Sequence, residues 1–509
     1  MHWVSPGSYW SKTFDRTSPA YPPLVGERHV DVAVIGGGIT GLTAALYLKQ
    51  AGKQVAVVES GVIGAGTTGG TTGHLDVMPD QGMTELIRDF GEGAAREITN
   101  IRRAAIARIE RWCEEFGIDC DFHRVPAYYY TEHEQHARQV ESEQEAARKV
   151  GVEPVLLHEI GLPFPIATAT RIDRQARFHS LRYLEGLARQ VHGENATIYE
   201  QTRAEPPQDG SPCRVKTPGG QLLATDVILA THSAYLGISQ FDMRQAPYQS
   251  YAIALRVHDQ VPDALYWDDE QPYHYIRLAS SDDPHLLIIG GADHKTGQAD
   301  GRQQFDRLAE YAAKRFRIQS VEQRWSAEFF EPADGVPFIG RVPRTEHLYL
   351  GTGYSGTGLT YGTAAGMLLT DLLLGRASPD IEVFSPSRLK LWAAAPELIS
   401  ENLDVARRYI ADRFGADKLD SLEQLTPGEG RRADFEGAPC ALYREDSGPI
   451  HVLSAMCPHA GCHVQWNSAE KTWDCPCHGS RFSATGERLY GPSPADLERK
   501  KTVIPVQVD

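Results

Sequence analysis

The run DVAVIGGGITGL, Asp31–Leu42, leads from an apolar stretch through Gly36, Gly38 and Gly41 into Leu42, Ala45 and Leu46, which share one helical face. A strand, a tight turn and a helix N-terminus in that order aim backbone N–H groups at an anion, and the glycines let that backbone approach a pyrophosphate closely. The next apolar run, QVAVVES, delivers Glu59 at its end. That is about the 20-residue interval at which an acidic side chain takes the ribose hydroxyls of a dinucleotide. Gly36, Gly38, Ile39, Thr40, Gly41, Glu59 and Ser60 are therefore the expected contacts of a bound dinucleotide. A bare GxGxxG says little; strand, helix and acid in sequence fix a nucleotide-binding α/β unit.

The residues after Glu59 narrow the ligand. GVIGAGTTGGTTGHL, Gly61–Leu75, is a second Gly/Thr-rich loop, whose small residues let backbone pass close to a flat ring system. Gly66, Thr67, His74 and Leu75 are its candidate contacts. LYLGTGYSGTGLTYGTAAGMLLTDLLLG, Leu348–Gly375, again reads as strand, Gly-rich turn and helix. Its turn offers Gly353, Gly356, Thr357, Gly358, Leu359 and Thr360, and a second helix N-terminus for the electron-rich end of an isoalloxazine. Ala230 and Thr231 close the strand-like run ATDVILATHSAYLG.

A chain of 509 residues exceeds what one core usually organises, so two or three domains are expected. A net charge of -16 disfavours nucleic acid and anionic membrane surfaces as partners. No basic start precedes an apolar run, and no window approaches the roughly 18–20 apolar residues of a membrane span, so a soluble cytoplasmic protein is expected. Short Val/Ile/Leu runs alternate with helical stretches as far as Phe384. Residues 1–29 read as an extended arm, with structure beginning at Val30. From Ser385 to Leu425, Ile399, Leu403, Ala406, Ile410 and Phe414 recur at helical spacing and predict a linker helix; a small β domain occupies 426–509.

Four of the eight cysteines, Cys457, Cys462, Cys475 and Cys477, fall within that last segment, in CPHAGC and CPCHGS. Two Cys/His pairs point to metal. By residue type alone they admit a Cys₂His₂ zinc tetrahedron. Zinc gives no reason for the extra cysteine pair or for the Gly-Ser after His478.

The C-terminal pattern, C-x-H-x-G-C with C-x-C-H-G-S, resembles the Rieske domains. The resemblance implies a [2Fe–2S] cluster with Cys457 and Cys475 on one iron and His459 and His478 on the other, and a disulfide between Cys462 and Cys477. It equates Gly491–Leu497 with a loop shielding the cluster, and Ser480 with a hydrogen-bond donor to a cluster sulfide. Phe482 stands where the family has a second donor, Tyr, which implies a potential below the upper end of the roughly -150 to +300 mV Rieske range.

Residues 30–384, with DGVPFIG at Asp334–Gly340, resemble the D-amino-acid-oxidase-like flavoproteins of glycine and sarcosine oxidase type. The resemblance implies an FAD-binding Rossmann-like domain built from discontinuous segments and an antiparallel substrate-binding sheet containing Tyr248–Val257, Tyr273–Leu278 and Leu286–Gly291. It implies oxidation of a small amine or amino acid at its C–N bond. Some relatives tether FAD to a His aligned with Gly70, others to a Cys in a region where this chain has none, so non-covalent FAD is expected. Ile288 aligns with the Lys that oxidase relatives use toward oxygen. Alternation puts Tyr273, Tyr275 and Arg277 on one strand face; with Tyr251 and His294 they are the candidate pocket residues. Arg177 and His179 are expected to start a supporting helix.

A flavin takes two electrons as hydride and a [2Fe–2S] centre passes them singly. The expected function is an amine dehydrogenase with its own outlet to a one-electron acceptor protein; the alternative is an oxidase that makes hydrogen peroxide from oxygen beside a structural or redox-sensing cluster domain.

Overall fold

The computed structural model describes residues 7–14, 20–237, 239–376, 379–388, 417–418 and 422–503. Among them, seven strands form a mostly parallel sheet with Gly26–Ile35 inside it, paired in parallel to Val55–Val58 on one side and to Gly220–Leu229 on the other. Ala196–Tyr199 extends the first side, Leu348–Thr352 the second, and Phe338–Arg341 adds an antiparallel edge. Val32 and Val34 pack with the helices Ile39–Gln50 and Gly358–Leu373, whereas Ala33 and Ile35 face a second cluster containing Leu229 and Phe338. Burial on both faces is why these residues read as an unbroken apolar run.

The strand starts four residues before the expected Val30, because Gly26 to His29 are exposed and polar but still pair with the strand beginning at Gly220. The arm is also not wholly extended. Tyr9–Thr13 is a helical turn capped by Ser8, and Trp10 is fully buried against a cluster that includes Leu181, Ala252, Ile288 and Trp325. Its indole N–H donates to Thr71 O.

A second, nine-stranded sheet carries Ile318–Pro332, Gln245–Val257, Leu286–Lys295, Tyr275–Leu278 and Leu265–Asp268, followed by His123–Thr131, Thr168–Arg177 and His74–Leu75, with Val155–Leu157 paired to Thr168–Arg177. Its pairings are antiparallel except that of Leu265–Asp268 with His123–Thr131. His179 caps the helix Ser180–Val191, and Arg177 is buried in ion pairs with Asp121 and Asp263.

The C-terminal region is all β, with a five-stranded sheet from Asp417–Lys418 to Arg499–Val503 and a four-stranded one from Gln465–Asn467 to Arg488–Tyr490. The apolar helix face expected at Ile399, Leu403, Ala406, Ile410 and Phe414 lies outside the described residues.

Candidate active site and cluster site

A cavity of about 620 Å³ is walled by residues of both large sheets and by the edge of the C-terminal region. Gly36, Gly38, Ile39, Thr40, Glu59, Ser60, Gly66, Thr67, His74, Ala230, Thr231, Gly353, Gly356, Thr357, Gly358 and Leu359 line it. Gly41, Leu75 and Thr360 stand behind the wall. A Cβ on Gly41 would lie 2.0 Å from Gly36 O, so that glycine serves the packing of helix on turn. The Glu59 carboxylate accepts from the N–H groups of Gly37 and Gly61, each at 2.8 Å, which fixes it at the strand end. Small residues, exposed turn N–H groups and a fixed acid fit the pyrophosphate and ribose of FAD.

Tyr273 and Tyr275 are in the wall, but Arg277 is not. Its guanidinium donates to Thr72 O at 3.1 Å, Gly73 O at 2.7 Å and Phe178 O at 3.3 Å, so the loop it supports screens it from the cavity. Burial lowers its pKa to about 9. Tyr251 and His294 face away, their rings stacked 5.6 Å apart beside Phe305. The reason is a bulge: Tyr251 pairs with Gly291 but Gln249 with His294, and Ala292 has φ +56°. The extra residue reverses the alternation, so Asp293 enters the wall and His294 leaves it. Ile288 packs with Ala252 and Trp325, which do line the cavity.

Sequence reasoning missed Asp80, His232, Ser250, Trp267, Asp293 and Glu328, all wall residues. Burial raises Asp293 to about 7 and Asp80 to about 6, although Arg102 opposes the shift at Asp80. Glu328, 1% exposed, is pushed well above the carboxylate range by burial. Burial holds His232 down at about 4 and His74 well below the usual imidazole value, so both are neutral bases.

In the C-terminal region, Cys457–Cys462 and Cys475–Ser480 form two loops of the same design. Cys457 N–H donates to Cys462 O and Cys475 N–H to Ser480 O, each at 2.8 Å. Cys462 and Cys477 are joined by a disulfide. The thiols of Cys457 and Cys475 are free and buried. The His459 and His478 rings lie 4.9 Å apart, and both nitrogens of His459 and Nδ1 of His478 are buried without hydrogen-bond partners among the described residues. Two buried thiols outside the disulfide and two imidazoles with unpartnered nitrogens, on converging loops, fit a [2Fe–2S] centre of mixed ligation. The Sγ atoms of Cys462, Cys475 and Cys477 also lie within 4.8 Å of one another, but the disulfide removes two of them as ligands. Ser480 Oγ accepts from Ser493 N at 3.0 Å, and a Cβ on Gly491 would lie 2.6 Å from Gly479 O, so the 491–497 loop sits directly on the second cluster loop.

That loop also meets the cavity wall. A Cβ on Gly479 would lie 2.7 Å from both Glu328 Oε1 and Pro247 Cβ. Asp242 Oδ2 is 3.7 Å from His459 Nε2, Arg488 donates to Tyr235 OH at 2.9 Å, and Ser326 N–H donates to Glu470 at 3.0 Å.

Fold and site together define a flavin-dependent oxidoreductase that carries its own iron–sulfur domain. The chain belongs to the FAD-dependent oxidoreductase (DAO) family, whose model matches residues 31–372, and residues 417–501 match the Rieske [2Fe-2S] domain. It binds FAD and a [2Fe–2S] cluster. It is 32% identical over 97% of its length to the Rieske 2Fe-2S iron-sulfur protein YhfW of Bacillus subtilis (strain 168), covering 97% of that protein. It is 26% identical to gamma-glutamylputrescine oxidoreductase of Escherichia coli (strain K12), over 73% of this chain and 89% of that one. The crystal structure of glycine oxidase from Geobacillus kaustophilus superposes with a TM-score of 0.60 at 20% identity, covering 71% of this chain and 99% of that one. No helix among the described residues is long and apolar enough to cross a membrane.

Proposed function

We propose that this chain, working in the cytoplasm, oxidises a small amine or amino acid and releases the electrons singly through its Rieske domain to a one-electron acceptor. FAD, held without a covalent tether by the turns at Gly36–Gly41 and Gly353–Gly358, supplies the two-electron acceptor for a hydride from the carbon bonded to nitrogen. The substrate nitrogen loses a proton, the C=N bond forms, and water hydrolyses the imine to a carbonyl compound and the freed amine. The chain orients the substrate between Tyr273, Tyr275 and Asp293, and the wall excludes bulk water. We take residues 30–384 as the flavin domain and 426–509 as the Rieske domain.

One contact carries the reading: the loop that bears His478 rests on Glu328, a residue of the cavity wall, with no room for a side chain at Gly479. By the family resemblance Ile288 stands where oxidase relatives have Lys; it is buried among apolar side chains, which supports an acceptor other than oxygen. Rapid anaerobic mixing with an amine substrate tests the route. Flavin bleaching is expected first, then the reduced Rieske signal in electron paramagnetic resonance, at or above the turnover rate; acid then releases the flavin from the polypeptide. In a parallel run in air, stoichiometric peroxide with an unchanged cluster would establish the oxidase alternative instead.

A further inference from the structure

The part of the cavity beneath Trp267 joins aromatic faces to carboxylates. Ser250 Oγ is 3.0 Å from Tyr275 OH, and its hydroxyl bonds Asp293, whose Oδ1 is buried with no hydrogen-bond partner among the described residues. The His74 ring lies 5.4 Å from both Trp267 and Tyr275, and its Nε2 is likewise buried and unpartnered among those residues. Asp80 repels Asp293, and Tyr273 lies within the field of both. Arg in forked contact, or Lys in point contact, is the usual side-chain partner of a substrate carboxylate. Among the described residues, the permanently cationic side chains of the wall are Arg203 and Arg488, which sit together at the Rieske edge: Arg203 donates to Arg488 O at 2.9 Å. Arg277 is screened by Thr72 and Gly73.

We propose that this lobe takes a cationic amine with no carboxylate on its reacting carbon, a primary mono- or diamine, and that Asp293 is the counter-ion of its nitrogen. The inference rests on the amine-oxidation reading of the same cavity. Asp293 attracts the ammonium group, Trp267, Tyr273 and Tyr275 offer it π faces, and Asp80 repels a substrate carboxylate, so the same charges select and exclude. Asp293 in its carboxylate form then takes one proton from the ammonium group, leaving the neutral amine that hydride loss requires. The carboxyl group so formed returns the proton to solvent before the next turnover.

The test uses the holoprotein and a matched pair: butylamine and 2-aminopentanoate, which is butylamine with a carboxylate on the reacting carbon, with 1,4-diaminobutane as a third compound. Anaerobic flavin bleaching is expected to be at least about tenfold more efficient, as kcat/KM, with the amines. Asp293→Asn should lower kcat/KM for the amines by about 10- to 100-fold at unchanged flavin content, the range of a hydrogen bond to a charged group, and Asp293→Glu should restore part of it. Tetramethylammonium binding, read as a flavin difference spectrum, should weaken about tenfold in Asp293→Asn while acetate binding does not weaken. Faster bleaching by 2-aminopentanoate, or an Asp293→Asn variant with wild-type amine kinetics, would overturn the inference. The wild-type comparison decides even if the variant does not fold. Bleaching by the amino acid alone sinks this inference and spares the amine-oxidation reading; bleaching by neither class sinks both.

Discussion

Asp293 and Asp80 owe their character to a bulge and a turn rather than to neighbours in sequence. Both carboxyls are held away from bulk water in the cavity wall, and their native pKa values of about 7 and about 6 lie above the ordinary 3.8. Between those values the native state holds protons that the unfolded chain has released, so stability is highest at the acid end and falls as pH rises through about 6 to 7. Asp293→Asn removes its share of that loss. In melting experiments without amine, the variant is expected to be more heat-stable than the wild type at pH 8 and equal to it near pH 4; a constant difference across that range would contradict the burial assigned to this carboxyl.

At the level of elements, those with a local signature were legible and those set by register were not. The glycine turns and the Cys/His loops are read directly because spacing along the chain dictates which backbone and side-chain groups converge. Arg277 is different: alternation places it on the same strand face as Tyr275, but the Thr72–Gly73 loop, distant along the chain, covers it. A single inserted residue at Ala292 exchanged His294 for Asp293, and nothing in GGADHK marks the bulge. The buried Trp10 was likewise invisible, since a five-residue helical turn has no period to detect. The cluster loops support a prediction at this scale. His478→Ala should abolish the Rieske resonance while leaving flavin absorbance intact, because its imidazole belongs to a hairpin loop outside the glycine turns. Loss of flavin together with the resonance would mean that the C-terminal sheets and the flavin domain fold as one unit.

In the whole molecule the two halves meet at Gly479, whose φ of +71° and absent side chain let the loop settle on Glu328 and Pro247. Gly479→Ala must displace one side of that contact. We expect flavin bleaching by substrate to stay within about twofold of wild type, since the cavity glycines are untouched, while the subsequent appearance of reduced cluster slows by about tenfold or more; the same rapid-mixing experiment reads both. Equal slowing of both phases would place the damage in the cavity instead.

The burial of Trp10 has a consequence for biosynthesis. Its companions Leu181, Ala252, Ile288 and Trp325 are strung far along the chain behind it. At about 5–20 residues per second, a ribosome takes roughly 15–60 s to deliver the last of them. Through that interval the Trp10 side chain lacks these partners, and its hold on the loop at Thr71 is not yet secured. The cavity wall, which includes Trp325 and the turn from Gly353 to Gly358, is therefore completed only after most of the flavin domain has been made.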